Sequence, residues 1–236
     1  MSERASGTPL QRGAEDVLRT LTDLAGTTYA EQAGITLRDT PAPLYRLLVL
    51  SVLLSTRIRA DLAVDATRAL VDAGAGTPER MAAMSWQDRV DALGRAHYRR
   101  YDESTATALG DGAELVRSEY GGDLRRLRAK AGGDPTAVRD LLTAFPRLGP
   151  IGANLFCREA QLVWPELRPA LDRKVLDGAR RLGLPTTATE LAALIPDDQL
   201  AVTAAALVRV ALDKALAEQV RDGDLTRPVH AVGAHE

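Results

Sequence analysis

The sequence predicts an all-α protein, and three observations carry that prediction. Aromatic residues make up only 4% of a 236-residue chain that is 45% hydrophobic. The interior must therefore be built from Ala, Leu and Val, while the residues that suit a pleated sheet are sparse. No segment alternates apolar and polar residues with a period of two. Helix-start signals, by contrast, recur: Thr77-Pro78-Glu79 and Asp134-Pro135-Thr136 each offer a capping side chain followed by proline at the first helical position.

Taken in order, residues 1–13 are short, polar and rich in small residues, and are expected to be disordered. A first helix is expected over Ala14–Ala25. The segment Gly26–Pro43, with Gly26, Gly34, Pro41 and Pro43, reads as a connector. Leu44–Leu54 is apolar on every side, the mark of a fully buried helix. Ala60–Ala73 is amphipathic and ends at Gly74 and Gly76. Helices follow from Thr77, over about Glu103–Glu119, and from Asp134 towards Leu142. Beyond Asp172 a helix runs to Leu182, a short one lies near Glu190–Leu194, and a long one is expected from Asp198 to Val220. Residues 221–236 read as a flexible tail.

Composition excludes several classes. Cys157 is the sole cysteine, so an intramolecular disulfide and a four-cysteine iron–sulfur site are both ruled out on ligand count. The histidines are His97, His230 and His235, and no metal site is expected. The apolar run Leu47–Leu54 is far short of the roughly 20 residues that a membrane span needs, and no secretory leader is visible in the polar first residues. A soluble, cytoplasmic protein without a membrane partner is expected. The formal net charge of -2 makes no global case for nucleic acid, and none against a local basic patch.

The stretch Phe145–Asn154, FPRLGPIGAN, carries the chemistry. It reads as a helix, a tight hairpin and a second helix, with Gly152 and Ala153 small enough for close backbone approach. A helix opening there turns unpaired N–H groups outward, ready for a phosphate. Asp172 heads the next helix, LDRKV. An Asp in that place is ordinarily an N-cap, and a cap is compatible with a catalytic carboxylate. Between Arg147 and Arg181 seven basic residues stand against four acidic ones, a local balance of +3 that suits either a phosphate backbone or a solvated face. Arg99 and Arg100, beside Tyr98 and Tyr101, form a second candidate patch. Trp86 and Trp164 are assigned to packing.

Together these segments resemble the helix–hairpin–helix DNA glycosylases of the endonuclease III superfamily. FPRLGPIGAN followed by LDRKVLDGARRLGLP is similar to their LPGVGPKTAN followed by VDTHVxRVxxRLGL. LLVLSVLLSTRIRADLAVDATRAL resembles their LLxxxLLSAQxxDxxVNxAxxxL helix pair, and the segment from Leu93 to Arg99 resembles IxxxGxYRxKA. The similarity runs in order from about Leu44 to Pro185.

The resemblance implies two helical lobes with a cleft between them: residues 42–133 as one bundle, and residues 14–41 packing with 134–220 as the other. It implies double-stranded DNA as partner, with Arg147, Leu148, Gly149, Ile151, Gly152 and Lys174 at the DNA-binding hairpin and beyond it. Asp172 aligns with the catalytic carboxylate, and Thr56, Arg57 and Tyr98 are candidates for the pocket lining. A flipped nucleotide would lose its base by hydrolysis. No cofactor is implied, the iron–sulfur cysteines being absent, although a structural monovalent cation at the hairpin fits the family. Protein partners are not indicated.

This sequence departs from the pattern at three motif positions, one being the glutamine of the helix pair, which is Arg57 here. The lysine with which bifunctional members attack the sugar is Ile151 here, so strand cleavage is not expected, and Lys174 is a conceivable substitute. The first hairpin glycine is Arg147, so a tight turn must accept a side chain. The expected activity is a monofunctional glycosylase of base-excision repair, nucleoid-associated when bound to DNA. A catalytically inactive DNA-binding relative is the alternative, and a helical scaffold without a DNA role is the third reading.

Overall fold

The computed structural model describes residues 9–225, with side chains from Gly13 onward. Among these residues there are helices and turns but no strand. The helices are α1 (Pro9–Ala25), α2 (Tyr29–Gln32), α3 (Pro41–Leu54), α4 (Ala60–Asp72), α5 (Pro78–Ala83), α6 (Trp86–Arg95) and α7 (Asp102–Tyr120). There follow α8 (Leu124–Lys130), α9 (Pro135–Leu142), α10 (Pro150–Ala160), α11 (Arg173–Arg181), α12 (Ala188–Ala192), α13 (Leu200–Leu212) and α14 (Lys214–Asp222). No helix among the described residues is long and apolar enough to cross a membrane.

Two expectations about the termini change. The first helix begins at Pro9, not Ala14, and the last runs into residues 221 and 222. The rest of the expected disordered start and flexible tail, with His230 and His235, lies outside the described residues. The long helix expected over Asp198–Val220 is two helices. Asp213 takes an extended conformation (φ -123°, ψ 115°), and its carboxylate accepts hydrogen bonds from the Ala215 and Leu216 amides. A cap inside an apolar pattern ends one helix and starts the next.

The contacts divide the chain into two compact units. Among the described residues, one combines those up to Thr28 with those from Arg168 on, and the other spans Tyr29–Leu167. The sequence reading set its breaks at the helix starts near residues 42 and 134. The contacts keep α9 and α10 with the central bundle, because α10 packs on α3 and α9 on α8.

The central unit is organised around α3. Thr40 is extended and Pro41 occupies the first helical position, where no amide donor is needed. Leu44, Leu47, Leu50 and Leu53 are fully buried, each worth about 2 kcal/mol of transfer free energy. The sequence does not announce the four-residue α2, because its capping comes from far away: the buried Glu159 carboxylate accepts the Tyr29 and Ala30 amides, both at 3.1 Å. Trp164 is fully buried, as assigned, and its indole N–H donates to Asp39 (2.9 Å), while Arg128 bridges Asp39 and Glu166. Trp86 instead stands 41% exposed at the start of α6, its indole donating to Thr107.

One buried cation holds three elements of this unit together. Arg89 on α6 donates to the carbonyls of Met81 and Met84 at the end of α5 and of Ala106 in α7, at 3.1, 2.7 and 2.9 Å. Its guanidinium fills the space beside Gly110, where an added Cβ would come within 2.7 Å of Nη2. Arg89→Met would keep the volume and leave the Met81 and Met84 carbonyls without their donor, while the Ala106 carbonyl keeps its helical partner. It is expected to cost about 3 kcal/mol in urea unfolding. A loss below 1 kcal/mol would mean that water replaces the guanidinium.

The other unit is built on α13, against which α1 and α11 pack. Ala204, Ala205, Ala206 and Leu207 are fully buried, and small residues let the helices approach closely. Arg209 on α13 donates to the Ala25 carbonyl at the end of α1 (2.8 Å).

Candidate nucleic-acid interface

The hairpin begins with α9. Asp134 caps that helix by accepting the amides of Thr136 and Ala137. The chain leaves it through Phe145, which is buried and contacts Tyr120 with ring centroids 6.2 Å apart. Arg147 then adopts φ +64°. That left-handed conformation costs a residue with a Cβ about 1–2 kcal/mol, as expected where an arginine replaces a turn glycine. Its side chain is held: Nη1 donates to Ser104 Oγ (2.8 Å), and the guanidinium lies 5.7 Å from the Tyr101 ring centroid. Neither partner is adjacent in sequence, so the Ser104 contact was invisible there.

Leu148 is buried and its N–H donates to the Phe145 carbonyl (3.0 Å). Gly149 caps α10 and Pro150 opens it. Gly152 sits against the end of α3, where an added Cβ would come within 2.2 Å of Ser55 Oγ and 2.6 Å of Leu148 Cδ1. A side chain at this position would have to displace those two side chains. Among the described residues nothing accepts a hydrogen bond from the amides of Gly149, Ile151 or Gly152. Gly149 and Ile151 are exposed while Gly152 is buried, and amides at the positive end of a helix dipole can hold an anion. Ile151 is 74% exposed beside them.

In the other unit Asp172 is the N-cap of α11, its Oδ1 accepting the amides of Lys174 (3.0 Å) and Val175 (3.1 Å). It is half-buried, while Arg173 and Lys174 beside it are exposed. The N-cap that the sequence predicts at Asp172 is therefore present.

No protein-family model matches this sequence, and no curated protein matches it. A solved structure described as a non-covalent endonuclease III–DNA complex is similar over 86% of this chain and 85% of its own, at 20% identity and a TM-score of 0.52. The chain has the endonuclease III fold. A second structure, described as a trapped endonuclease III–DNA covalent intermediate with an estranged adenine, is similar over 77% of this chain and 81% of its own (18% identity, TM-score 0.45).

Within the endonuclease III fold the remaining expectations take definite positions. Leu148 anchors the hairpin through its buried side chain and engaged amide, so it offers a ligand neither. Tyr98 is buried, and its phenol is shared between Thr105 Oγ1 (3.0 Å) and Thr56 Oγ1 (3.3 Å). Thr56 and Tyr98 are thus brought together, while Arg57 is exposed.

The basic tally from Arg147 to Arg181 overstates the surface charge. Arg158 is buried, Arg180 pairs with Asp177 (2.8 Å), Arg168 with Asp197 (3.5 Å), and Arg181 reaches the Val210 carbonyl. Arg147, Arg173 and Lys174 remain exposed. Burial pushes the Cys157 thiol up to about 11, against a lowering pull from Arg139, so it is no nucleophile. Among the described residues no group of three or more His, Cys, Asp or Glu could hold a metal ion.

Proposed function

We propose that this protein binds double-stranded DNA through the α9–α10 hairpin and acts as a monofunctional DNA glycosylase. The observation that carries the proposal is the start of α10, where the amides of the exposed Gly149 and Ile151 have no acceptor, in the fold of a protein solved in complex with DNA. A phosphodiester supplies the acceptors that those amides lack.

In this reading the Asp172 carboxylate faces a flipped nucleotide. The bond from sugar C1′ to the base nitrogen lengthens, positive charge grows on the sugar, and the fixed negative charge stabilises it without reorganisation. Water then adds to C1′. Its proton passes to the departing base, directly or through Asp172. The products are a free base and an abasic site. Ile151 has no amine with which to form a Schiff base, so the strand stays intact. Such an enzyme would work in the cytoplasm, at the nucleoid when bound, without an iron–sulfur cluster.

A second reading, a DNA-binding protein that has lost the chemistry, is favoured by Arg147 and Ile151 at positions where the resemblance calls for glycine and lysine. Base release from duplexes carrying alkylated bases, oxidised bases, uracil, hypoxanthine or mismatches separates the two. Strand breaks that need alkali are expected. Borohydride-trapped adducts would assign a nucleophile, with Lys174 first in line, and overturn the monofunctional assignment. Duplex binding with no product across the panel would favour the silent binder.

A further inference from the structure

Two arginines share one aromatic ring beside the hairpin. The Arg147 guanidinium lies 5.7 Å from the centroid of Tyr101, and that of Arg100 lies 5.3 Å from the same centroid. Arg99, Arg100 and Arg147 are all exposed. Among the described residues no carboxylate reaches ion-pair distance of any of them, unlike Arg117, Arg125 or Arg180, each paired to a nearby acid. The nearest acids in sequence, Asp102 and Glu103, make no such pair, and Asp102 accepts the Glu103 amide instead (2.8 Å). Arg147 gives one hydrogen bond to a neutral hydroxyl, which fixes the side chain without cancelling its charge.

We infer that Arg147 and Arg100, with the Tyr101 ring that both approach, form a second phosphate clamp, which extends the DNA footprint from the hairpin to the start of α7. The inference rests on the DNA-binding reading of the hairpin. A guanidinium stacked on an aromatic face is held in one plane while its N–H groups stay available for bidentate phosphate contact. Ser104 also orients Arg147, its Oγ accepting a hydrogen bond from Nη1. The replacement of the turn glycine then has a chemical return: a conformationally unfavourable residue is kept because its side chain reaches a phosphate that glycine cannot. Tyr101 is a positioning residue.

Arg147→Gly tests this cleanly, because glycine suits φ +64° and removes only the side chain. Thermal melting is measured beside the binding of an undamaged labelled duplex at several NaCl concentrations. Arg147→Gly is expected to melt at or above the wild-type temperature, yet to bind roughly threefold to tenfold more weakly. The slope of log affinity against log salt should become shallower by about 1. Arg100→Gln should show the same change of slope. Tyr101→Phe should behave as wild type, and Tyr101→Leu should weaken binding.

Wild-type affinity and slope in Arg147→Gly would overturn the clamp and leave the hairpin reading standing. So would a lower melting temperature with an unchanged slope, which would make Arg147 a packing residue. A wild-type protein without salt-dependent duplex binding would overturn both.

Discussion

Asp172→Asn is expected to reduce base release at least about 100-fold while leaving duplex affinity within about twofold and the fold intact. Asparagine is as good an N-cap as aspartate, so the bonds to the Lys174 and Val175 amides survive. What disappears is the negative charge, and a preorganised charge next to a developing cation is worth about 3–4 kcal/mol of barrier. Asp172→Ala removes charge and cap together and should lose about 1 kcal/mol of stability as well. The pair of variants separates the two roles of one side chain. Equal turnover in wild type and Asp172→Asn would remove the carboxylate from the mechanism. Loss of affinity in Asp172→Asn would place Asp172 in binding instead.

Gly178→Ala is expected to be strongly destabilising. A Cβ at Gly178 would come within 1.9 Å of the Leu207 carbonyl oxygen and 2.7 Å of its carbon. Both are backbone atoms inside α13 and cannot rotate away. The substitution must push α11 off α13 and open the packing around Val175, Ala179 and Leu207, all fully buried. A cost of about 3 kcal/mol or more follows, or roughly 10 °C in melting temperature for a chain of this size. Gly94→Ala is the control. Nothing lies within 4 Å of its added Cβ, and the gain in helix propensity should make it neutral or stabilising by up to about 1 kcal/mol. If the two variants melt together, α11 and α13 are not in the contact described.

The all-helical class and most helix starts were legible because their causes are local. Thr77 and Asp134 cap the helices they precede, and the all-round apolar pattern of Leu44–Leu54 becomes the buried α3. Asp172 was legible as a cap for the same reason. What sequence could not supply was long-range. The cap of α2 comes from Glu159, 130 residues away, and the partner of Arg147 is Ser104, 43 residues away. The basic run was misjudged because charge can be counted in a sequence while burial and pairing cannot: Arg158 faces inward and Arg180 is already paired. Asp213 shows the opposite error. Its capping preference was written in the sequence but was masked by the apolar residues on either side.

The contact between Arg89 and Gly110 also constrains how this protein can change over evolutionary time. A side chain at position 110 collides with the guanidinium, while loss of the guanidinium alone leaves the Met81 and Met84 carbonyls without their donor. Substitution at either site is harmful by itself. The second change is tolerable only after the first has already weakened the bundle, so each position closes the other's mutational path. Descendants of this chain should therefore keep arginine and glycine together at these two sites or lose them together. A comparison of diverging relatives would show the two positions as a linked pair, although neither takes part in the proposed chemistry.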